Sequence, residues 1–344
     1  MNSEEIFMQR TMELALLGRG TVSPNPLVGC VIVHENKIIG ESWHKKHGDA
    51  HAEVNAIDSV RDKSLLSEST VYVNLEPCSH FGKTPPCADL LIKCNVKKVV
   101  VSNIDPNPLV GGQGIAKLNA AGIEVVVGML EKEGRNLNKR FFTHIEKQRP
   151  YIILKWAQTS DGFVARENYD SKWISNDFSR QLVHKWRSEE DAVLVGALTA
   201  KHDNPTLNVR DWSGRNPTRI VIDRFLKLNK NLHLFNQSQK TICYNTLKDE
   251  ATENLQFVRL GEENFIVQLI YDLYKKNIQS VIVEGGAKTL QHFINAGLWD
   301  EARVFESTTS FGTGISAPAI KHPLVDRQEI VNDVLRVYRN TDQV

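Results

Sequence analysis

The chain has 344 residues, a hydrophobic fraction of 41%, a charged fraction of 24% and a formal net charge of +1. That length suggests two domains, and the composition is that of a soluble globular chain able to bury a core in each. The near-neutral balance argues against a nucleic-acid-sized basic face, and apolar runs such as Val99-Val100-Val101 are strand-length, far below the roughly 20 residues of a membrane helix.

From the N-terminus, residues 2–18 read as an amphipathic helix with Ile6, Phe7, Leu14 and Leu17 inside, ending at Gly18 or Gly20. Gly29 to Val33, a polar turn over His34-Glu35-Asn36-Lys37, and Ile38-Ile39-Gly40 form a hairpin. A helix then starts near His51, with Asp49 as its N-cap. Strands at 70–75, 99–102 and 123–127 alternate with helices near 87–94 and 114–121, a rhythm that predicts a three-layer α/β/α sheet. Cys78 then falls just past a strand, where open α/β sheets place ligands. Residues 130–149 carry many charges and end at Pro150. They read as a short helix leading into a linker, so the first domain is placed at 1–146 and the second at 147–344.

Within the first half, His51-Ala52-Glu53, Pro77-Cys78 and Pro86-Cys87 combine three soft metal ligands with a carboxylate. A catalytic Zn²⁺ takes three protein ligands and keeps a fourth position for water, so His51, Cys78 and Cys87 suffice and Glu53 is free to move a proton. Residues two apart in a helix interior diverge by about 200°, so His51 and Glu53 converge only where the chain has just entered the helix. Cys78 and Cys87 would stand about 13 Å apart on a straight helix, so Gly82, Pro85 and Pro86 belong to a loop that folds back. A structural zinc is the alternative; it requires a fourth protein ligand, for which His80, Cys94 or His44 is available. Five cysteines at irregular spacing, without a signal peptide, point to a reducing cytoplasm rather than a disulfide.

These residues resemble the signature of the zinc-dependent cytidine and deoxycytidylate deaminases, H-x-E followed by P-C-x-x-C. The longer segment from Pro77 to Cys87, with Ser23-Pro24-Asn25-Pro26-Leu27-Val28-Gly29 and Asp105-Pro106-Asn107-Pro108, is similar to one branch of them: the bifunctional deaminase/reductases of riboflavin biosynthesis. The resemblance implies a cytidine-deaminase-like first domain in which Asn25 and His44 contact the pyrimidine. His80 and Lys83, in the loop that closes the zinc site, are candidates for a substrate phosphate, with solvated loop cations as the plain alternative.

Beyond Pro150 the α/β rhythm restarts, with strands at 151–157, 192–196, 219–223, 241–244 and 280–284 and helices near 176–187, 263–277 and 287–296. No G-x-G-x-x-G follows a strand and no G-x-x-x-x-G-K-[ST] occurs, which excludes a Rossmann or P-loop reading. Glu284-Gly285-Gly286-Ala287-Lys288-Thr289 instead offers a phosphate two positions without side chains and the free N–H groups of a helix start.

Leu154-Lys155-Trp156-Ala157, Ser160-Asp161-Gly162, Ser171-Lys172-Trp173-Ile174, Thr199, Asp203-Asn204-Pro205, Leu207-Asn208-Val209-Arg210 and Glu284-Gly285-Gly286 resemble the reductase half of the same branch. That implies a dihydrofolate-reductase-like α/β domain using NADPH. The cofactor would lie along Ala157, Trp173, Thr199, Asp203 and the run Gly286, Ala287, Lys288, Thr289, Leu290, Gln291 and His292. Ser171, Arg187, Leu207, Arg210 and Glu284 would face the sugar-phosphate substrate, arginine's planar fork suiting a phosphate, and Lys155 would assist as an electrophile or donor. After Thr308 the chain departs from the leucine- and glycine-rich family pattern, reading Ser310-Phe311-Gly312-Thr313-Gly314-Ile315-Ser316-Ala317-Pro318.

The resemblance implies two successive reactions. The first is zinc-dependent hydrolytic deamination of 2,5-diamino-6-ribosylamino-4(3H)-pyrimidinone 5′-phosphate. The second is NADPH-dependent reduction of its ribosyl group to ribityl. A cytoplasmic homo-oligomer acting on small molecules, not nucleic acid or membranes, is the accompanying expectation. Three rivals are a deaminase whose second half only assembles oligomers, a nucleic-acid deaminase, and a non-enzymatic zinc-stabilised module.

Overall fold

The computed structural model describes residues 3–81, 85–172 and 174–342. The chain divides into two compact units, Met1–Gln148 and Arg149–Val344.

In the first unit, α1 (Ser3–Leu16) leads to β1 (Gly29–His34), β2 (Lys37–Trp43), α2 (Ala52–Ser59), β3 (Thr70–Leu75), α3 (Cys87–Lys93), β4 (Lys98–Asn103), α4 (Gln113–Ala120), β5 (Glu124–Val127), α5 (Glu131–Leu137) and α6 (Lys139–Lys147). The sheet order is β2-β1-β3-β4-β5. β1 runs antiparallel to β2 and β3, while β3, β4 and β5 are parallel. Glu35 and Asn36 turn the hairpin with positive φ, the backbone a two-residue turn requires.

Alternation along the strands builds the layers. Cys30, Ile32, Val71, Val73, Val99 and Val101 pack with Ala52, Ala56, Leu91 and Leu118 of α2, α3 and α4 on one face. Val31, Val33, Tyr72 and Val100 pack with Met8, Met12, Ala15 and Leu137 on the other. Side chains two apart on a strand share a face, and each such fully buried aliphatic side chain contributes roughly 1.5–3 kcal/mol.

Three sequence expectations change here. Ile6 and Leu17 are exposed; Met8, Thr11, Met12 and Ala15 form the buried stripe of α1, because the helix ends at Leu16 and its inward positions recur every three to four residues. The N-cap of α2 is His51, not Asp49, which lies in an exposed turn where its N–H donates to the Lys46 carbonyl. The charged stretch 130–149 is two helices running directly into the second unit, not a helix and a linker. Leu137, Phe142, Thr143 and His144 are buried, and Arg149 forks onto Asp300 with both contacts at 2.7 Å.

The second unit contains β6 (Tyr151–Gln158), β7 (Phe163–Ala165), α7 (Asp177–Glu189), β8 (Ala192–Gly196), α8 (Ala197–Asp203), β9 (Thr218–Ile222), β10 (Thr241–Asn245), β11 (Glu250–Ala251), β12 (Leu255–Arg259), α9 (Phe265–Lys275), β13 (Ser280–Val283), α10 (Ala287–Asn295), β14 (Glu301–Ser307), β15 (Ile315–Ser316), β16 (Leu324–Ile330) and β17 (Asp333–Arg339). Ten strands form one sheet in the order β11-β12-β10-β9-β8-β13-β6-β14-β17-β16, and β15 pairs with β7 separately. The strands from β12 to β14 are mutually parallel, and antiparallel partners close both edges. Helices cover both faces: α9 and α10 pack over Ile152, Leu154, Leu194 and Ile220, and α7 packs over Ile153, Val193, Val195 and Val221. Among the described residues no helix is long and apolar enough to cross a membrane.

Candidate active sites

Two helix starts and one strand end build the first site. Cys78 lies three residues past β3, and Cys87 is the first residue of α3. The Cys87 N–H donates to Cys78 Sγ at 3.3 Å, and the Ala88 N–H donates to the Cys78 carbonyl at 3.1 Å, so the start of α3 is tied directly to Cys78. His51 is extended (φ −71°, ψ 167°) immediately before α2, and Glu53 is the second residue within it. The rotation that separates alternate residues inside a helix therefore does not apply to this pair.

The ligand atoms of His51, Cys78 and Cys87 all lie within 4.8 Å of one another, with His51 Nδ1 at 3.5 Å from Cys78 Sγ and 3.4 Å from Cys87 Sγ. Zn–S bonds of about 2.3 Å and Zn–N bonds of about 2.1 Å imply tetrahedral edges of roughly 3.6 Å, so the three residues fit zinc. All five cysteines are free. Interaction with Cys87 and His51 outweighs burial and holds the Cys78 thiol well below its ordinary value, while the hydrogen bond that Cys87 donates to Cys78, with burial, pushes Cys87 up. Glu53 is 3% exposed; burial, then the charge of Cys78, raises it to about 7. A carboxyl poised there can both take and release a proton near neutral pH.

His51, Glu53 and Cys78 open onto a cavity of about 380 Å³ whose walls include Asn25, His44, His80, Glu76, Asp105 and Asn107. Asn25 and His44 are hydrogen-bonded to each other at 3.1 Å. His80 is exposed at the rim, and Lys83 lies outside the described residues. His44 and His80 are not among the groups close enough to share a metal with the three ligands.

Glu76, adjacent to Pro77-Cys78, was not singled out from the sequence. Its carboxylate accepts backbone N–H bonds from Gly114 and Gly112 at 2.8 Å and from Asp105 and Ile115 at 3.2 Å. The bonds from Gly112, Gly114 and Ile115 tie the start of α4, and that from Asp105 the loop after β4, to the segment carrying Cys78. Gly114 is needed there: a Cβ would stand 2.1 Å from the Pro77 carbonyl oxygen.

In the second unit, Gly285 and Gly286 join β13 to α10. A Cβ on Gly285 would meet Val195 Cα at 2.6 Å; Gly286 has φ +71°, and its Cβ would stand 3.1 Å from Thr199 Oγ1. The start of α10 has no side-chain cap. Its backbone N–H groups are thus available to an anion, and this cradle fits a phosphate-bearing cofactor. Thr199 stands beside Gly286 at the start of α10. Ala157 sits near the end of β6, and Asp203 pairs with Ser171 at 3.4 Å. Leu290 is 1% exposed in the core, Gln291 binds Asn295 and Ala319, and Lys288 and His292 are exposed. Trp173 lies outside the described residues.

On the other side of β13, Arg187 forks onto Glu284 through Nε and Nη2 at 2.7 Å and donates to the Asn208 carbonyl at 3.2 Å. Burial would raise Glu284; the charge and hydrogen bonds of Arg187, with Lys155, outweigh it and hold the carboxyl at about 2. Burial lowers the Lys155 pKa. Leu207 is buried with φ +52°, and Arg210 is exposed. The departing segment after Thr308 is held by Asp161, which accepts from Ser310 Oγ and the N–H groups of Phe311 and Gly312.

The fold and the two sites define a zinc-type pyrimidine deaminase domain followed by a reductase domain. Residues 1–103 match the cytidine and deoxycytidylate deaminase zinc-binding region, and residues 150–327 match the RibD C-terminal domain. The riboflavin biosynthesis protein RibD of Aquifex aeolicus is 41% identical over 90% of this chain and 88% of its own length; that of Escherichia coli is 37% identical over 90% and 89%. A Thermotoga maritima crystal structure, described as a diaminohydroxyphosphoribosylaminopyrimidine deaminase/5-amino-6-(5-phosphoribosylamino)uracil reductase, superposes with TM-score 0.90 at 38% identity, covering 98% of this chain and 99% of that one. Acinetobacter baumannii RibD gives 0.89 at 34%, with the same coverage. The chain belongs to the RibD family of bifunctional riboflavin biosynthesis enzymes.

Proposed function

We propose that the first unit deaminates 2,5-diamino-6-ribosylamino-4(3H)-pyrimidinone 5′-phosphate and that the second reduces the ribosyl group of the product. The observation that carries this reading is the convergence of His51, Cys78 and Cys87 beside a buried Glu53. His51, Cys78 and Cys87 would hold zinc, which would supply the acidification of water that hydrolysis at neutral pH requires. Glu53 takes a proton from the attacking water and delivers it to the departing amino nitrogen, so water and the C–NH₂ group become a carbonyl and ammonia. Asn25 holds the pyrimidine ring, with His44 behind it, and His80, at the rim, takes the phosphate together with Lys83.

In the second unit bound NADPH would supply a hydride for C1 of the ribosyl group; the bond from C1 to the ring oxygen breaks as that oxygen takes a proton from solvent, leaving the open ribityl chain and NADP⁺. The turn at Gly286–Thr289, with Thr199, Asp203, Ala157 and Trp173, seats the cofactor. Glu284 and Ser171 bind sugar hydroxyls, Leu207 contributes backbone, and Arg210 takes the phosphate. Lys155 donates a hydrogen bond to the sugar. Arg187, already forked onto Glu284, works by holding that carboxylate in place. The reading includes a cytoplasmic homo-oligomer acting on small molecules.

The test separates the halves. Cys78→Ser is expected to abolish ammonia release while still oxidising NADPH when given the deaminated intermediate, and Arg210→Ala to do the reverse. Ammonia release at the wild-type rate from the Cys78 variant would remove the metal site from the reaction.

A further inference from the structure

The reductase half contains a buried histidine that neither the motifs nor the reaction uses. His184 lies on α7, is 3% exposed, and contacts both residues at one corner of the loop after α8. Its Nδ1 is 3.4 Å from the backbone N–H of Arg210. An N–H can only donate, so Nδ1 accepts and the ring proton sits on Nε2. That nitrogen faces Asp211 Oδ2 at 3.2 Å. Asp211 Oδ2 in turn stands 3.6 Å from Arg210 Nε. The circuit closes on itself: Arg210 backbone to imidazole, imidazole to Asp211, Asp211 to the Arg210 side chain.

The arrangement requires a neutral ring, since an imidazolium has no lone pair for the Arg210 N–H. Burial and the flanking charges of Arg187 and Arg210 supply that, lowering the His184 pKa to about 4. The Arg210 guanidinium, by contrast, is 57% exposed and only loosely paired. One turn along α7, Arg187 holds the same loop at the Asn208 carbonyl. A single helix face therefore fixes the loop on either side of Val209 and leaves the Arg210 side chain facing outward.

We propose that His184 is a positioning residue for substrate phosphate, acting through Arg210 and Asp211 to aim the arginine fork; this rests on the reading of Arg210 as the phosphate contact. The benefit is in organisation before binding. A long side chain whose backbone and first nitrogen are already placed loses less freedom when it grips an anion.

The experiment compares kcat/KM for the phosphorylated reductase substrate with that for its dephosphorylated form, followed by NADPH oxidation on the full chain. His184→Phe, which keeps the ring shape and removes both hydrogen bonds, should lower that ratio about tenfold. The loss should fall on KM for the phosphorylated substrate, with KM for NADPH unchanged. His184→Asn, whose amide oxygen can replace Nδ1 as acceptor, should recover most of it. Should the phenylalanine variant fold poorly, Asp211→Ala, at a 52% exposed side chain, should lower the ratio about threefold. An unchanged ratio in either folded variant, alongside a reduced ratio in Arg210→Ala, overturns the proposal. An unchanged ratio in Arg210→Ala itself removes the phosphate contact, and the proposal falls with it.

Discussion

The side-chain amide nitrogen of Asn25 donates to Nε2 of His44 at 3.1 Å, and the opposite ring nitrogen, Nδ1, lies 3.1 Å from the Ala50 carbonyl. A carbonyl only accepts, so the hydrogen is on Nδ1, Nε2 is a bare acceptor, and the imidazole is neutral. Burial, the largest influence on this ring, lowers its pKa in the same sense. The amide of Asn25 is thereby oriented at the cavity it lines, and under the proposed reading its oxygen accepts from a ring N–H or amino group.

Asn25→Asp turns that donor into an acceptor facing another acceptor. Deamination kcat/KM should fall by about tenfold or more, the worth of one well-placed hydrogen bond reversed, while NADPH-dependent reduction of supplied intermediate stays at the wild-type rate. Steady-state ammonia release measures it, and an undiminished rate would mean the amide is not read by the substrate.

Glu76 supports the same cavity from behind. Four backbone N–H groups converge on its carboxylate, three of them at the start of α4, where a negative charge also meets the positive end of the helix dipole. Glu76→Gln replaces one oxygen with an NH₂ that can only oppose those donors. A loss of roughly 2–3 kcal/mol is expected, seen in calorimetry as a lower unfolding temperature of the deaminase unit, with deamination impaired and reduction intact. An unmoved transition would show that the carboxylate is dispensable as an anchor.

The Arg187–Glu284 pair gives the reductase unit a pH dependence of known sign. The Glu284 carboxyl is held near 2 in the folded chain against an ordinary 4.5. A depressed acid stabilises the fold fully above its unfolded value, and that contribution is lost as pH falls from about 4.5 towards 2; the shift is worth about 3 kcal/mol. Denaturant unfolding between pH 6 and pH 3 should show about 2 kcal/mol of this loss, the remainder falling below pH 3. Glu284→Gln should be less stable at pH 6 and decline less steeply. Parallel curves for the two proteins would contradict the assignment.

What the sequence made legible was local and chemical. The three metal ligands and Glu53 announce themselves because few other uses bring those residue types to that spacing, and the alternating strands are visible because hydrophobic period is a short-range signal. Errors arose where burial is decided at a distance. Ile6 and Leu17 look like core residues, yet the face of α1 is set by the sheet beneath it, which takes Met8, Met12 and Ala15. The charged run 130–149 resembles a linker because nothing nearby reveals that Phe142 and His144 are buried or that Arg149 meets Asp300. β14 and β17, part of the sheet, carry polar residues that disguise them; Glu301 and Arg303 are buried against each other at 2.7 Å, with Tyr151 also donating to Glu301. Glu76 and His184 were missed for the same reason, their partners lying 29 to 39 and 26 to 27 residues away.

The most direct measurement is made on Glu53→Gln: zinc content by elemental analysis, together with ammonia release from the diamino substrate. The account predicts the wild-type complement of one zinc per chain, because His51, Cys78 and Cys87 are untouched, with ammonia release lowered by two orders of magnitude or more, about the worth of a positioned acid–base group. A Glu53→Gln protein that releases ammonia at the wild-type rate, or that no longer holds the metal, would contradict it.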